Sequence, residues 1–375
     1  MSGERALRAG IVMPLAEQRG GAEHALVQFL AGVAPAERHG LHVCYLEEGP
    51  LVEWTAAAGF PTVLFSSGRL REPSRWLQCI HRLAQWLKQN GIRVVVSWMP
   101  KAHLYAGPAA LLAGVPAIWW QHGLPRNRGL DLAVTLLPAR RILTCSRSAA
   151  RAQQRVFGQR AELRTIYPPV DFERLSHIAP APGTRELLGL PPGKLIVGIV
   201  ARLQRWKGVH VFLEAARELV AERPELFFLV VGGVHPLEPN YPASLQRQSR
   251  ELGLENYLRF AGYQSDAAPW MAAMDIVVHA SFGEPFGMVI IEAMALAKPV
   301  VATRLDGPTE IITDGVDGLL VAPGSVPELV QSLRRLIDRP QLRAALGQAG
   351  RLRAETYAVP RFVGEVTRSL METAA

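Results

Sequence analysis

The stretch Asp275-Ile-Val-Val-His279-Ala-Ser-Phe-Gly-Glu284-Pro-Phe-Gly-Met-Val-Ile-Ile-Glu292-Ala-Met-Ala-Leu-Ala-Lys-Pro-Val-Val-Ala-Thr303 decides the fold. Its opening residues are short and β-branched and read as a buried strand. Gly283, Pro285 and Gly287 punctuate a loop, and the pattern then predicts a helix over 287–297. Lys298-Pro299 stops that helix, because proline lacks an N–H and crowds the preceding turn. Val300-Val301-Ala302 opens the next strand. Such a strand–loop–helix–strand unit belongs to an open α/β sheet, and its loop lies at the carboxyl ends of parallel strands, where these sheets bind ligands.

Glu284 and Glu292 bracket the loop. Between them, the backbone N–H groups of Phe286, Gly287 and Met288, with Val289 beside them, open the helix. Amides at a helix start favour an anion, and glycine lets a phosphate come close. Amides for an anion and carboxylates for hydroxyls describe a pocket shaped for a nucleotide sugar. The stretch resembles the E-x7-E motif of family 4 retaining glycosyltransferases, glycosyl transferases group 1. That resemblance implies the GT-B fold: α/β, two facing Rossmann-like domains with parallel sheets and a cleft between them. It runs along nearly the whole chain and is strongest from Val197 to Val321.

Outward from this stretch, Leu195-Ile-Val-Gly-Ile-Val-Ala201 reads as a strand running into Arg202-Leu-Gln-Arg-Trp-Lys207-Gly208. Two cations beside a glycine and a helix start form a diphosphate clamp, with arginine bidentate and lysine a point charge. The segment resembles the family's G-R-L-x-x-x-K-G signature, with Ala201 in place of the first glycine. Leu226 to Gly233 and Tyr257 to Gly262 are further strands. The resemblance places the nucleotide base against Gly262 and Tyr263. Arg304-Leu-Asp-Gly-Pro-Thr-Glu310 is similar to the family's G-G-x-x-E element, with Asp306 replacing the first glycine.

The first half alternates strands and helices in the same way. Gly20-Gly21, between the strand Ile11-Val12-Met13 and a helix over 22–33, is a turn able to bind an anion. The resemblance places it near the donor phosphates. A helix over 73–89 puts Trp76, Leu77, Ile80, Leu83, Ala84 and Leu87 on one face, a pattern for packing on a sheet or lying on a membrane surface. Ser66 to Arg71, just before it, reads as a loop near the cleft. The strand from Pro116 ends at His122-Gly123, so His122 is expected to face the crevice. The resemblance makes it the active-site histidine. His103, at the start of a helix over 102–113, is expected to reach the cleft as well. Tyr167-Pro-Pro-Val-Asp171 stands where the family has Asn-Gly-Val-Asp and is assigned no ligand contact.

These boundaries give an acceptor-side domain over 1–172, a linker over 173–194 and a nucleotide-sugar domain over 195–359. A terminal helix over 360–375 is expected to pack back on the first domain. Residues 1–180 hold 21 Lys and Arg against 12 Asp and Glu, and residues 181–375 hold 20 against 21. The whole basic excess therefore lies in the first half, which favours an anionic membrane or an acidic glycan as partner. No nucleic-acid motif accompanies it. Cys44, Cys79 and Cys145 are isolated and odd in number, which argues against a disulfide framework or a zinc site. No apolar run approaches the length of a spanning helix, and Glu4, Arg5 and Arg8 before Gly10 do not read as a signal peptide. A cytoplasmic protein, peripheral at most to the inner face of the membrane, is expected.

The resemblance implies a retaining hexosyltransferase using a nucleoside-diphosphate sugar, a UDP- or GDP-sugar, with a glycan, lipid-linked or small-molecule acceptor. Arg202 and Lys207 would neutralise the leaving diphosphate, Glu292 would hold the ribose, and Glu284 would hold the sugar. No D-x-D occurs in the chain, so neither a metal nor another cofactor is expected. Two alternatives stand beside it. A nucleotide-sugar epimerase of GT-B shape would share the phosphate-binding elements without the complete Arg202/Lys207 and Glu284/Glu292 set. A non-catalytic nucleotide-sugar-binding protein would bind the donor without turning it over.

Overall fold

The computed structural model describes residues 7–18, 20–68, 72–126, 128–156, 158, 161–178 and 183–375. Arg69, Leu70 and Arg71 of the expected cleft loop, and Arg19 beside the glycine pair, lie outside the described residues. The chain divides into two compact units, residues 1–169 with 359–375 and residues 170–358. The expected linker is thus part of the second unit, where it forms the short helices Phe172–Ser176 and Thr184–Leu187.

The first unit holds seven strands, β1 (Ala9–Met13), β2 (Leu41–Tyr45), β3 (Thr62–Leu64), β4 (Val94–Ser97), β5 (Ala117–Gln121), β6 (Arg141–Thr144) and β7 (Glu162–Thr165). All pairs are parallel, in the order β3-β2-β1-β4-β5-β6-β7. Parallel sheets covered on both faces need strands apolar throughout, and every residue of β1, β4 and β5 is buried. The helix Pro73–Gln89 spans the predicted residues and buries Cys79, Ile80, Leu83, Ala84, Trp86 and Leu87 in the core of this unit. Of its two expected roles, packing uses the apolar face, while Leu77 is left exposed.

The carboxyl-terminal helix Val359–Ala374 packs on the helix Gly21–Gly32 of the same unit. A Cβ at Gly32 would lie 2.8 Å from both Val359 and Val363, so a side chain there would hold the helices apart. Phe362 meets Phe29 edge-on at 6.4 Å and Trp120 at 5.6 Å. Arg141, largely buried, ties β6 to this helix by donating to the Ser369 carbonyl and to Glu372.

The second unit holds β8 (Leu195–Val200), β9 (Leu226–Val231), β10 (Leu258–Gly262), β11 (Ile276–His279), β12 (Val300–Thr303) and β13 (Leu319–Val321). These are also all parallel, in the order β10-β9-β8-β11-β12-β13. The strand order reverses between β8 and β11, and the carboxyl ends of those two strands bracket the crevice where doubly wound sheets take ligands. Arg185 and the Asp275 carboxylate, 2.8 Å apart, pin the amino end of β11, and that carboxylate also accepts from the Ile196 amide at 2.7 Å.

The helix of the deciding stretch runs Met288–Ala295, shorter than the 287–297 predicted. It ends before Pro299 is reached, because Ala297 turns left-handed at φ +55°. That conformation usually falls to glycine just beyond a helix.

Candidate active site

The loops after β8 and β11 meet at one place. After β8 the chain makes a tight turn over Arg205–Lys207 and enters the helix Val209–Glu222 through Gly208 at φ +71°. A Cβ at Gly208 would sit 1.9 Å from the Ala280 carbonyl oxygen. Only glycine therefore supplies both the left-handed backbone and the close approach. The Phe282 amide donates to the Trp206 carbonyl at 2.7 Å and fastens the second loop to the first.

This join brings Lys207 and Glu284, 77 residues apart, into direct contact: Lys207 Nζ lies 2.6 Å from Glu284 Oε2. The lysine also rests over the Trp206 ring, 4.1 Å from its centre. His279 Nε2 lies 2.9 Å from the same Oε2, and Ser281 Oγ donates to it at 3.4 Å. The Glu284 carbonyl accepts from the Gly307 amide. Both members of the pair are mostly buried, their side chains 15% and 11% exposed. Burial by itself would raise the Glu284 pKa. The Lys207 charge and the His279 hydrogen bond outweigh it and hold the carboxyl at about 2. Glu284 is therefore a charged acceptor at every ordinary pH.

Arg202 stands exposed beyond the end of β8 and makes no ion pair among the described residues. The His235 pKa is lowered by burial and then by the Arg202 charge, which places the guanidinium near the β9 end. Gly262, at φ +72°, closes β10 and accepts from the Gly232 amide at 2.9 Å. Tyr263 follows it, 69% exposed. Phe286 is buried and packs edge-on against Tyr357 at 5.6 Å. Gly287, at φ +116°, precedes Met288 and Val289, which are half-buried.

Glu292 lies on the helix Met288–Ala295, which packs on the helix Phe172–Ser176. Burial raises its pKa to about 7, the Arg174 charge opposes that rise, and Asp266 adds to it. The two glutamates are thus in opposite electrostatic states, one fixed as an anion and one poised to carry a proton near neutrality.

In the first unit Gly20 precedes the helix Gly21–Gly32 in an extended conformation. A Cβ on Gly20 would meet the Glu23 carboxylate at 3.3 Å. His122 follows β5 and is half-buried. Its ring stacks on Trp120 at 5.1 Å, and Nε2 has no hydrogen-bond partner among the described residues. Burial lowers its pKa to about 3 against the opposing pull of the Trp98 backbone, so its ring is neutral. His103 corrects the sequence expectation. It is fully buried, 3.1 Å from Ser97 Oγ and stacked on Trp119 at 5.8 Å. The helix begins at Pro100, two residues earlier than predicted, and its first turn carries His103 under the sheet.

His279 and Ser281 were not singled out by the sequence. The rule that drew attention to His122, a histidine ending a parallel strand, applies equally to His279. Among the described residues no group of three or more His, Cys, Asp or Glu is arranged to hold a metal ion, and no helix is long and apolar enough to cross a membrane.

Two family models match the chain, glycosyl transferases group 1 over residues 183–353 and glycosyltransferase family 4 over residues 19–174. The chain belongs to the family 4, group 1 glycosyltransferases. It is 34% identical over 261 residues to D-inositol 3-phosphate glycosyltransferase 2 of Catenulispora acidiphila, covering 63% of this chain and 60% of that protein. It is 30% identical over 291 residues to the D-inositol 3-phosphate glycosyltransferase of Nocardiopsis dassonvillei, covering 70% and 67%. The chain thus spans about three fifths of the length of the first curated relatives it matches. Among solved structures, Anabaena HepE in complex with UDP has a TM-score of 0.84 at 25% identity, covering 98% of this chain and all of that one. Sucrose-phosphate synthase of Thermosynechococcus elongatus shares the fold at a TM-score of 0.78 and 20% identity, covering 97% and 99%. The fold class is α/β of the GT-B kind, two Rossmann-like parallel sheets.

Proposed function

We propose that the chain is a metal-independent, retaining glycosyltransferase that moves a hexose from a nucleoside-diphosphate sugar to a hydroxyl acceptor. The observation that carries this reading is the buried Lys207–Glu284 pair at the β8/β11 switch point. It offers a desolvated cation for a diphosphate and a fixed carboxylate for sugar hydroxyls at one place. In the reaction the bond from the anomeric carbon to the diphosphate breaks, and the acceptor oxygen bonds to the same face of that carbon. The acceptor proton goes to the departing phosphate oxygen. The charge that develops on the leaving group is the main electrostatic demand, and Lys207 with Arg202 meets it.

Glu284, with the amides of Phe286, Gly287 and Met288 and beside Val289, holds the sugar. Glu292 holds the ribose, and Gly262 and Tyr263 flank the base. HepE has been solved with UDP-glucose, which supports a UDP-sugar as the first donor to try. The names of the relatives support a small phosphorylated polyol such as inositol 3-phosphate among the acceptors, beside glycan and lipid-linked ones. The basic excess of residues 1–180 supports peripheral contact with an anionic membrane. Cosedimentation with anionic vesicles at low salt tests that contact.

The test of the reaction is transfer from UDP-glucose to an acceptor panel in the presence of a chelator, with product anomers read by proton NMR. An α-linked product from the α-linked donor, lost in Glu284→Ala with the fold intact, supports the reading. Unchanged transfer in Glu284→Ala removes the site, and an inverted anomer removes the mechanism. An epimerised nucleotide sugar would favour the isomerase, and donor binding without turnover the binding protein.

A further inference from the structure

We infer that His279 is a positioning residue. With Ser281 and Lys207 it gathers on one oxygen of Glu284, Oε2, every side-chain hydrogen bond that the carboxylate makes among the described residues, so that Oε1 is held for a hydroxyl of the donor sugar. This rests on the donor-site role proposed for Glu284. His279 Nε2, Ser281 Oγ and Lys207 Nζ all approach Oε2, at 2.9, 3.4 and 2.6 Å. The carboxyl nonetheless retains a small opening to solvent, its side chain 11% exposed. A carboxylate offers about four lone-pair sites on its two oxygens. Loading three donors onto one oxygen fixes the rotation of the group and points the other oxygen outward.

The histidine is itself immobilised. It is 6% exposed at the end of β11, whose backbone pairs with β12 through His279 and Ala302. Ser281 is braced by Thr303, whose hydroxyl donates to the Ser281 carbonyl at 2.8 Å. His279 Nδ1 is buried without a hydrogen-bond partner among the described residues. With a proton on Nε2 the ring donates to Glu284 Oε2 from a fixed position. Lys207 brings the largest opposing charge to Glu284, and the fixed His279 ring supplies direction. A lysine alone, with three freely rotating donors on a flexible stem, would not fix the plane of the carboxylate.

The experiment compares His279→Leu, which keeps the volume and removes the donor, with His279→Gln, whose side-chain amide N–H reaches about as far as Nε2. UDP binding by calorimetry and kcat/KM for UDP-glucose are measured for both variants and for Glu284→Ala. Glu284 contacts the sugar and not the nucleotide in this reading. His279→Leu is therefore expected to bind UDP within twofold of the parent and to lose roughly tenfold or more in kcat/KM, the usual loss for a hydrogen bond to a charged group. His279→Gln is expected to restore most of that loss. A ring that merely filled space would be replaced by leucine without this split.

A readout that needs no donor accompanies the kinetics. The Glu284 carboxyl, followed by 13C NMR and assigned from Glu284→Gln, is expected to titrate higher in His279→Leu than in the parent and to return in His279→Gln. An unmoved titration in His279→Leu overturns the inference, as does an unmoved kcat/KM when Glu284→Ala is inactive. If Glu284→Ala retains turnover, the donor-site reading fails instead, and the titration alone decides whether His279 holds the carboxylate.

Discussion

Replacing Lys207 by methionine removes one charge from a buried pair while keeping most of the side-chain volume. Glu284, whose ordinary pKa is 4.5, is held at about 2 in the fold, burial pushing it up and Lys207 and His279 pulling it further down. That difference corresponds to about 3 kcal/mol in favour of the charged carboxyl. In Lys207→Met the same burial remains with only His279 and Ser281 to oppose it. Breaking one side of a buried pair typically costs about 3–5 kcal/mol, so a loss of about 3 kcal/mol in unfolding free energy at pH 7 is expected. The folded-state pKa lies below the unfolded one, so the contribution is fully present above pH 4.5 and is lost as pH falls toward 2. The gap between parent and variant is therefore full at pH 7 and narrows below pH 4.5. Urea denaturation of Lys207→Met, Glu284→Gln and the double variant closes the cycle, with an expected coupling of about 2–3 kcal/mol. Strictly additive losses would mean that Lys207 and Glu284 do not stabilise each other.

Three further outcomes are expected from the same structure. Gly208→Ala places a Cβ against the Ala280 carbonyl at a left-handed position and should cost about 3 kcal/mol or more, read as a Tm lowered by several degrees. His103 and His122 are held neutral by burial, at about 4 and about 3. Their pKa values are depressed below the unfolded 6.5, so they contribute stability above pH 6.5 that is lost as pH falls toward 4 and 3. His103→Phe should flatten the acid limb of the stability curve by up to about 1.4 kcal/mol per pH unit; an unchanged slope would show that His103 is not buried neutral. Glu292, raised to about 7, should tolerate Glu292→Gln with UDP affinity within a few-fold, whereas Glu292→Ala should lose roughly tenfold or more. Equal affinities in calorimetry would remove it from the ribose.

The sheets were legible because a parallel strand covered on both faces must be apolar throughout. Runs such as Val94-Val-Val-Ser97 and Leu195-Ile-Val-Gly-Ile-Val200 have few other uses. Helix ends were less legible where the stop was made by an unusual backbone: the sequence pointed to Pro299, and Ala297 at φ +55° ended the helix first. The partners of the site were hardest to see. Lys207 and Glu284 could each be singled out, but their 2.6 Å contact depends on Gly208 lying against Ala280. His103 and His122 look alike in sequence, near strands of one sheet. Which becomes core is set by the helix phase after β4, and that phase follows from a start at Pro100 the pattern did not mark.

Handling of a nucleoside-diphosphate sugar at the β8/β11 loops is open to direct measurement. The most direct test is hydrolysis of UDP-, GDP-, ADP- and dTDP-sugars, each with and without acceptor, in the presence of a chelator and with Arg202→Ala and Glu284→Ala as controls. One donor is expected to be cleaved, and cleavage is expected to fall by roughly a hundredfold or more in both variants, as for loss of a group that stabilises developing charge. Cleavage that persists in both variants would remove the site from the reaction, and a chain that neither cleaves nor binds any of the four would not be a nucleotide-sugar enzyme.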